Sequence, residues 1–277
     1  MNIKYKEAAA YRPEIANACE MALVRLMQAF TTHKQHLRLV GGLVPRYLTP
    51  EAPPDVPAHV GTTDVDVVLD VPVLVAGGQY ASLRRQLKEA GFSRHRTSDG
   101  KASSWQWELS VDERVTVLVE FLQHVDALPQ AEGAAGLVRL VSIQDEDVSA
   151  CLIPHVGIVK DWYEEKSVWV HLEDGLWEET IRYADAAAFI VLKALAFDQR
   201  AERKDAADLI HVMRYWRVHS DHEGRQDLIE LLAHRLGDGM HSEALEAGMS
   251  ALRRRFCTDQ TTKGFEKSGP GAHAAFQ

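Results

Sequence analysis

The stretch GTTDVDVVLD, residues 61–70, constrains the fold more than any other in the chain. Its valines demand a buried strand, yet Asp64 and Asp66 stand at the strand's entrance. Side chains two residues apart on a strand project from the same face, so both carboxylates leave the sheet side by side. Paired anions raise each other's proton affinity unless a positive charge lies between them. An Asp-x-Asp at a strand end is also ordinary solvated turn chemistry, so the surrounding sequence has to decide.

A third acid lies in RVTVLVEFLQ, residues 114–123, a β-branched run that reads as a strand. There Thr116, Leu118 and Glu120 share one face, and Val115, Val117, Val119 and Phe121 the other. If the two strands are neighbours, three carboxylates converge at one end of a sheet. Hard divalent cations with oxygen ligands are the natural counter-ions for such a group. Mg²⁺ or Mn²⁺ held by Asp64, Asp66 and Glu120 would leave coordination positions for water and substrate phosphates. Upstream, LRLVGG (residues 37–42) is a short strand closing on Gly41 and Gly42, with a helical turn over LVPRYL. Glycines there permit a tight turn, and also let backbone N–H groups approach phosphate oxygens.

Strand, Gly-Gly, helical turn, Asp-x-Asp strand and acid-bearing strand together resemble the nucleotidyltransferase fold of the DNA polymerase beta superfamily. Further along, Lys193 in FIVLKALAF is followed by RKDAADL with Arg203, Lys204, Asp205 and Asp208. This is similar to the later motifs of the AbiEii/MenT-type nucleotidyltransferase toxins. The resemblance implies that Lys193 and Asp205 join Asp64, Asp66, Gly41 and Gly42 as functional residues. It also implies an NTP substrate, NMP transfer to an acceptor hydroxyl such as the 3′ end of tRNA, and a cognate antitoxin partner. An aminoglycoside-like small molecule or a protein hydroxyl are alternative acceptors, and a non-catalytic binding module is the alternative from another class. Two departures stand out: Leu43 follows Gly42 where many relatives carry Ser or Thr, and the interval from Gly42 to Asp64 is long and proline-rich.

The bland readings concern the same residues. Lys193 sits among Ile190, Val191, Leu195 and Phe197, where a lysine can snorkel to water. Asp205 can serve the helix dipole of its first turn, Asp208 reads as structural, and Arg253, Arg254 and Arg255 as a dipole-favouring, solvated helix end. The six tryptophans read as core and edge residues rather than a base-stacking platform. A P-loop, an HExxH and a GxSxG elbow are all missing from the sequence.

Length and composition set the frame: 277 residues, 46% hydrophobic and 26% charged, suit one large or two modest domains. The pattern predicts an α/β (α+β) fold, a mixed sheet with flanking helices over 1–178 followed by a helical lobe over 179–277. Helices are expected over about 13–36, 79–90, 185–200, 201–216, 227–236 and 242–256. Strands are expected over 37–42, 65–70, 105–109 and 114–123. The interval 129–178 reads as short strands or a connecting lobe, and the tail from Thr258 as loosely held. No apolar run is long enough for a bilayer, no signal-peptide core is visible, and Cys19, Cys151 and Cys257 are widely spaced, so a cytoplasmic location with reduced thiols and no membrane partner is expected. A net charge of −9 disfavours a generally basic, nucleic-acid-coating surface while leaving room for a local basic patch.

Overall fold

The structure is a computed structural model that describes residues 7–31, 33–51, 53–69, 83–125, 140–142, 148–217, 228–259, 261–263, 265 and 268–277. The chain divides into two units. The first holds Pro13–Leu43 and Thr62–Tyr183; the second holds Val44–Gly61, Ala184–Gln277 and the described part of Lys4–Arg12. The expected single cut after residue 178 is therefore replaced by interleaved segments. The sheet keeps its last strand to Tyr183, and the proline-rich loop goes with the helices.

The first unit is built on a mixed sheet. Its strands are β1 (Arg38–Val40), β2 (Asp64–Val68), β3 (Ser93–Arg96), β4 (Ala102–Ser110), β5 (Thr116–Val125), β6 (Leu140–Ser142), β7 (Ser149–Pro154), β8 (Tyr163–Leu172) and β9 (Gly175–Ala184). The order is β3-β4-β5-β2-β1-β9-β8, with β7 beside β5 and β6 beside β7. β2 runs parallel to β5 and antiparallel to β1. Along its other edge, β5 pairs with β4 up to Glu120 and with β7 from Leu122 onward. The mixed α/β class expected from the sequence is the class observed. The illegible interval 129–178 supplies β6, β7, β8 and the start of β9, while 126–139 and 143–147 lie outside the described residues.

Strand alternation explains the core. Val65, Val67, Val117, Val119 and Phe121 are fully buried on one face, with Trp107 of β4 beside Val119. Helix α1 (Pro13–Ala29) packs against β5 and β2 through its buried stripe of Cys19, Ala22, Leu23 and Leu26, and Phe30 tilts against Phe121 at 6.0 Å between ring centres. The helix stops at Ala29 rather than near His36. The Thr31 hydroxyl donates to the Gln28 carbonyl at 2.7 Å, a local bond that competes with helical continuation. Lys34 then reaches Glu179 at 2.8 Å. Asp112 builds the β4–β5 turn by accepting from the N–H groups of Arg114 and Val115. Helix α3 (Leu83–Glu89), numbered after α2 (Pro45–Leu48) of the second unit, is the described part of the helix expected from Gln79; residues 79–82 lie outside the description. Asp70, expected to end the strand of β2, also lies outside it.

The second unit is helical: α2 (Pro45–Leu48), α4 (Ala186–Arg200), α5 (Arg203–Tyr215), α6 (Leu228–Gly237), α7 (Ser242–Phe256) and α8 (Gly269–Ala274). α4 is buried almost all round, through Ala186–Val191, Ala194 and Phe197, which makes it the central helix. Asp185 caps it by accepting from Ala188 N–H at 2.8 Å. α7 crosses α4 at Gly248, where an added Cβ would lie 3.0 Å from the Val191 Cα. Two of the three arginines expected to face solvent, Arg254 and Arg255, instead bind Asp198 of α4. The tail also departs from expectation. α8 and the buried Phe276 pack it down, with the Phe276 ring 5.9 Å from Tyr11. The Ala8 N–H also donates to the Phe276 carbonyl, so backbone and ring together hold a segment that composition marks as loose.

Candidate active site

The acid-bearing face lies in the first unit. Antiparallel pairing sets Val40 opposite Asp66, which brings the Gly41–Leu43 turn at the end of β1 alongside that carboxylate. Gly41 has φ +76°, and a Cβ there would fall 1.9 Å from Asp66 Oδ2. Only glycine fits, because the left-handed backbone and the carboxylate both exclude a side chain. The glycine expected to admit phosphate is thus required first by Asp66.

Asp64 is buried and half-buried Asp66 follows it on the same face of β2. The Thr62 hydroxyl donates to Asp64 Oδ1 at 2.6 Å, and the Thr62 carbonyl in turn accepts from the Cys19 thiol of α1. This fastens the approach to the strand. On β5, Glu120 stands in register with Asp66, as does Leu118 with Asp64. Gln106 of β4 donates to Glu120 Oε1 at 2.8 Å, at the last β4–β5 pair before β7 takes over. Asp66 and Glu120 are therefore cross-strand neighbours, and Asp64 is one step along the same row.

Cys151 of β7 reports the charge of this face. It pairs with Leu122, so it points the same way as Glu120. Burial, and after it the charges of Glu120 and Asp66, push its thiol up to about 11. Nothing in the sequence marked Cys151 as a neighbour of the acids, because that contact depends on the β5–β7 pairing.

Among the described residues, no group of three His, Cys, Asp or Glu side chains is placed to hold one metal ion. A three-ligand cage is not what Mg²⁺ needs, since one or two carboxylates with water and phosphate suffice. The hard oxygen donors of Asp64 and Asp66 on one face, set against a glycine turn, fit such an ion.

Lys193 and Asp205 lie in the second unit, and they hold each other. Lys193 Nζ lies 2.8 Å from Asp205 Oδ1 and 2.8 Å from Asp208 Oδ2. Arg200 grips Asp205 through Nε at 2.7 Å and a second nitrogen at 3.0 Å, and Lys204 binds Asp208 at 2.8 Å. His59, from the proline-rich loop, completes the group at 2.8 Å from Asp208. The Gly61 N–H donates to His59 Nδ1, so the ring proton sits on Nε2 and is donated to Asp208.

Burial alone opposes every charge in this network, and the pairing overcomes it for the charged members. Burial raises the Asp205 carboxyl, but Lys193 and Arg200 bring it down to about 2. Asp208 falls well below the usual range for the same reason, against burial, through Lys193, Lys204 and His59. Lys193 is raised because Asp205 and Asp208 outweigh its desolvation. His59 goes the other way: desolvation lowers it more than Asp208 raises it. The Lys204–Asp208 pair is readable as an i,i+4 spacing; His59 had no such signal, being 149 residues from its partner.

No protein-family model matches the chain, and none of the curated proteins matches its sequence. Among solved structures, the chain is similar to an antigenic nucleotidyltransferase-like protein from Paracoccidioides brasiliensis, with a TM-score of 0.37 and 13% identity over 86% of this chain and 94% of that one. Among the described residues, no helix is long and apolar enough to cross a membrane.

Proposed function

We propose that this protein is a nucleotidyltransferase that moves an NMP from an NTP to an acceptor hydroxyl. The carrying observation is the row of carboxylates on one sheet face: Asp64, then Asp66 in register with Glu120, beside the Gly41 turn. Asp64 and Asp66 would hold Mg²⁺ or Mn²⁺, which when bound supplies charge to offset the triphosphate and the leaving pyrophosphate. Glu120, held in place by Gln106, accepts the proton of the acceptor hydroxyl. The hydroxyl oxygen bonds to the α-phosphorus, the bond to the bridging oxygen breaks, and pyrophosphate leaves. Catalysis rests on positioning and charge stabilisation.

The proposed acceptor is the 3′ end of tRNA, in a cytoplasmic toxin of the AbiEii/MenT type with an antitoxin partner, following the motif resemblance. Lys193 and Asp205 enter by the same resemblance, as a phosphate-facing cation and a further acid. A second reading, a non-catalytic binding module, is favoured by one observation: Lys193 and Asp205 are engaged by each other and by Arg200 and Asp208.

Purified protein incubated with Mg²⁺, total tRNA and each α-labelled NTP, with Asp66→Asn as control, separates these readings. Label on tRNA that requires Asp66 supports the proposal. Label on a small acceptor or on protein keeps the chemistry and discards tRNA. Absence of both transfer and Mg²⁺–NTP binding supports the binding module.

A further inference from the structure

The polar row that carries Asp66 and Glu120 does not end at Gln106. Beyond β5 the sheet continues to β4 and then to β3. Glu108 pairs with Leu118, which pairs with Asp64, so Glu108 stands on the acid-bearing face. Ser93 of β3 pairs with Glu108 in turn. β3 is antiparallel to β4, and β4 to β5, so β3 runs in the direction of β5. His95, two residues past Ser93, therefore lies at about the level of Glu120. The β3–β4 register shifts between Arg94 and Arg96, and such irregularities re-aim the side chain they hold. Here that side chain is His95, whose Nδ1 lies 3.0 Å from Glu108 Oε2.

An ionised carboxylate only accepts, so Nδ1 carries the ring proton and donates it to Glu108. The neutral ring then presents Nε2 as an acceptor. Nε2 has no partner among the described residues, and the side chain keeps 13% of its surface in solvent. A carboxylate that fixes an imidazole in this way decides which groups the far nitrogen can bind. β3 and β5 are separated by two strand spacings, so the backbone at His95 stands roughly 10 Å from that at Glu120. That is too far to share the proton taken by Glu120. It is comparable to the span of one nucleoside, from sugar hydroxyl to base edge.

We propose that His95, oriented by Glu108, determines acceptor specificity: its Nε2 accepts a hydrogen bond from the amino group of the acceptor's terminal base, adenine or cytosine, while the hydroxyl of the same nucleoside stands at Glu120. Adenine and cytosine present an exocyclic amino donor, whereas guanine, hypoxanthine and uracil carry a carbonyl oxygen there. An unpaired RNA end offers that edge to a protein side chain. The inference rests on the transferase reading with an RNA 3′ end as acceptor, and adds to it the group that reads the last base.

The test uses the full-length protein with Mg²⁺, each α-labelled NTP, and RNA hairpins identical except for a 3′-terminal adenosine, purine riboside or inosine. Purine riboside lacks the amino group, and inosine replaces it with a carbonyl. Wild type is expected to use the adenosine end roughly tenfold or more better than the other two by kcat/KM. His95→Phe removes that preference, with the loss carried by the KM for RNA rather than by that for the NTP. Glu108→Gln offers Nδ1 an amide N–H to accept, so Nε2 becomes the donor and the preference moves toward inosine. A bond that only fastened β3 to β4 would move neither ratio. Wild type that uses the three ends equally, or a preference that survives His95→Phe, overturns the proposal. Transfer confined to a small acceptor or to protein also overturns it, while leaving the transferase reading in place. Wild type with neither transfer nor Mg²⁺–NTP binding brings down both.

Discussion

In the helical unit, two buried carboxylates are surrounded by cations: Asp205 by Lys193 and Arg200, Asp208 by Lys193, Lys204 and the donor His59. In the sheet unit, Glu120 receives an amide from Gln106 and Asp64 a hydroxyl from Thr62, both neutral groups. The same side-chain chemistry is thus used in two ways. Where charge is compensated internally, pairing offsets the cost of burial and holds the side chains in place. At Glu120 the orienting group is a neutral amide, so that contact leaves its charge unoffset. The Cys151 thiol is pushed up first by burial and then by the charges of Glu120 and Asp66.

The contrast can be broken most directly at Lys193. Lys193→Met leaves two carboxylates facing a cation-depleted interior and should cost about 3–5 kcal/mol in urea unfolding. Wild-type stability would mean that Arg200 and Lys204 carry the network alone. Asp66→Asn should do the reverse. Unfolding free energy stays within about 1 kcal/mol of wild type, while nucleotide transfer falls on the order of 10²–10³-fold. A loss of stability as large as that of Lys193→Met would place the acidic face with the architecture.

Acid separates the two regions by a smaller margin. Asp205 has its folded-state affinity depressed to about 2, so its contribution is complete above the unfolded value near 4 and is lost as pH falls toward 2. Asp205 should contribute about 2 kcal/mol to the stability lost across that window, and the loss should be smaller by about that much in Asp205→Asn, the part due to Asp208 remaining. His211 adds a further loss between about pH 6.5 and 4, because it remains neutral in the folded state and takes up a proton on unfolding. The smallest effect belongs to Gly41→Ala. Strain at a positive φ costs about 1–2 kcal/mol, and the Cβ must also displace Asp66. Thermal unfolding should shift modestly, while Mg²⁺-dependent NTP binding falls more than stability does.

Strand periodicity made much of this legible. Asp64 and Asp66 on one face, Glu120 on the polar face of its strand, and the helices bearing Lys193 and Asp205 follow from spacing alone. Boundaries were less so: α1 ends early because Thr31 bonds back to Gln28, a competition that periodicity does not register. The arginine run has the composition of a solvated helix end, yet Arg254 and Arg255 bind Asp198, more than fifty residues earlier. Phe276 and His59 were invisible in the same way, each in a segment whose composition signals loop while one side chain reaches a distant partner.

The information carried along the chain is local: which residues share a strand face or helix stripe, where glycine and proline interrupt, and that two acids must leave the sheet together. These follow from backbone periods of two and 3.6 residues, which act over a few neighbours. Tertiary structure alone decided which strand lies beside which, and hence that Glu120 meets Asp66, that Gly41 is cradled by a carboxylate, and that Cys151 faces the acids. It also decided that Lys193 is held between two aspartates of the next helix, because the choice among partners depends on which buried charges can be neutralised together once the chain has closed on itself.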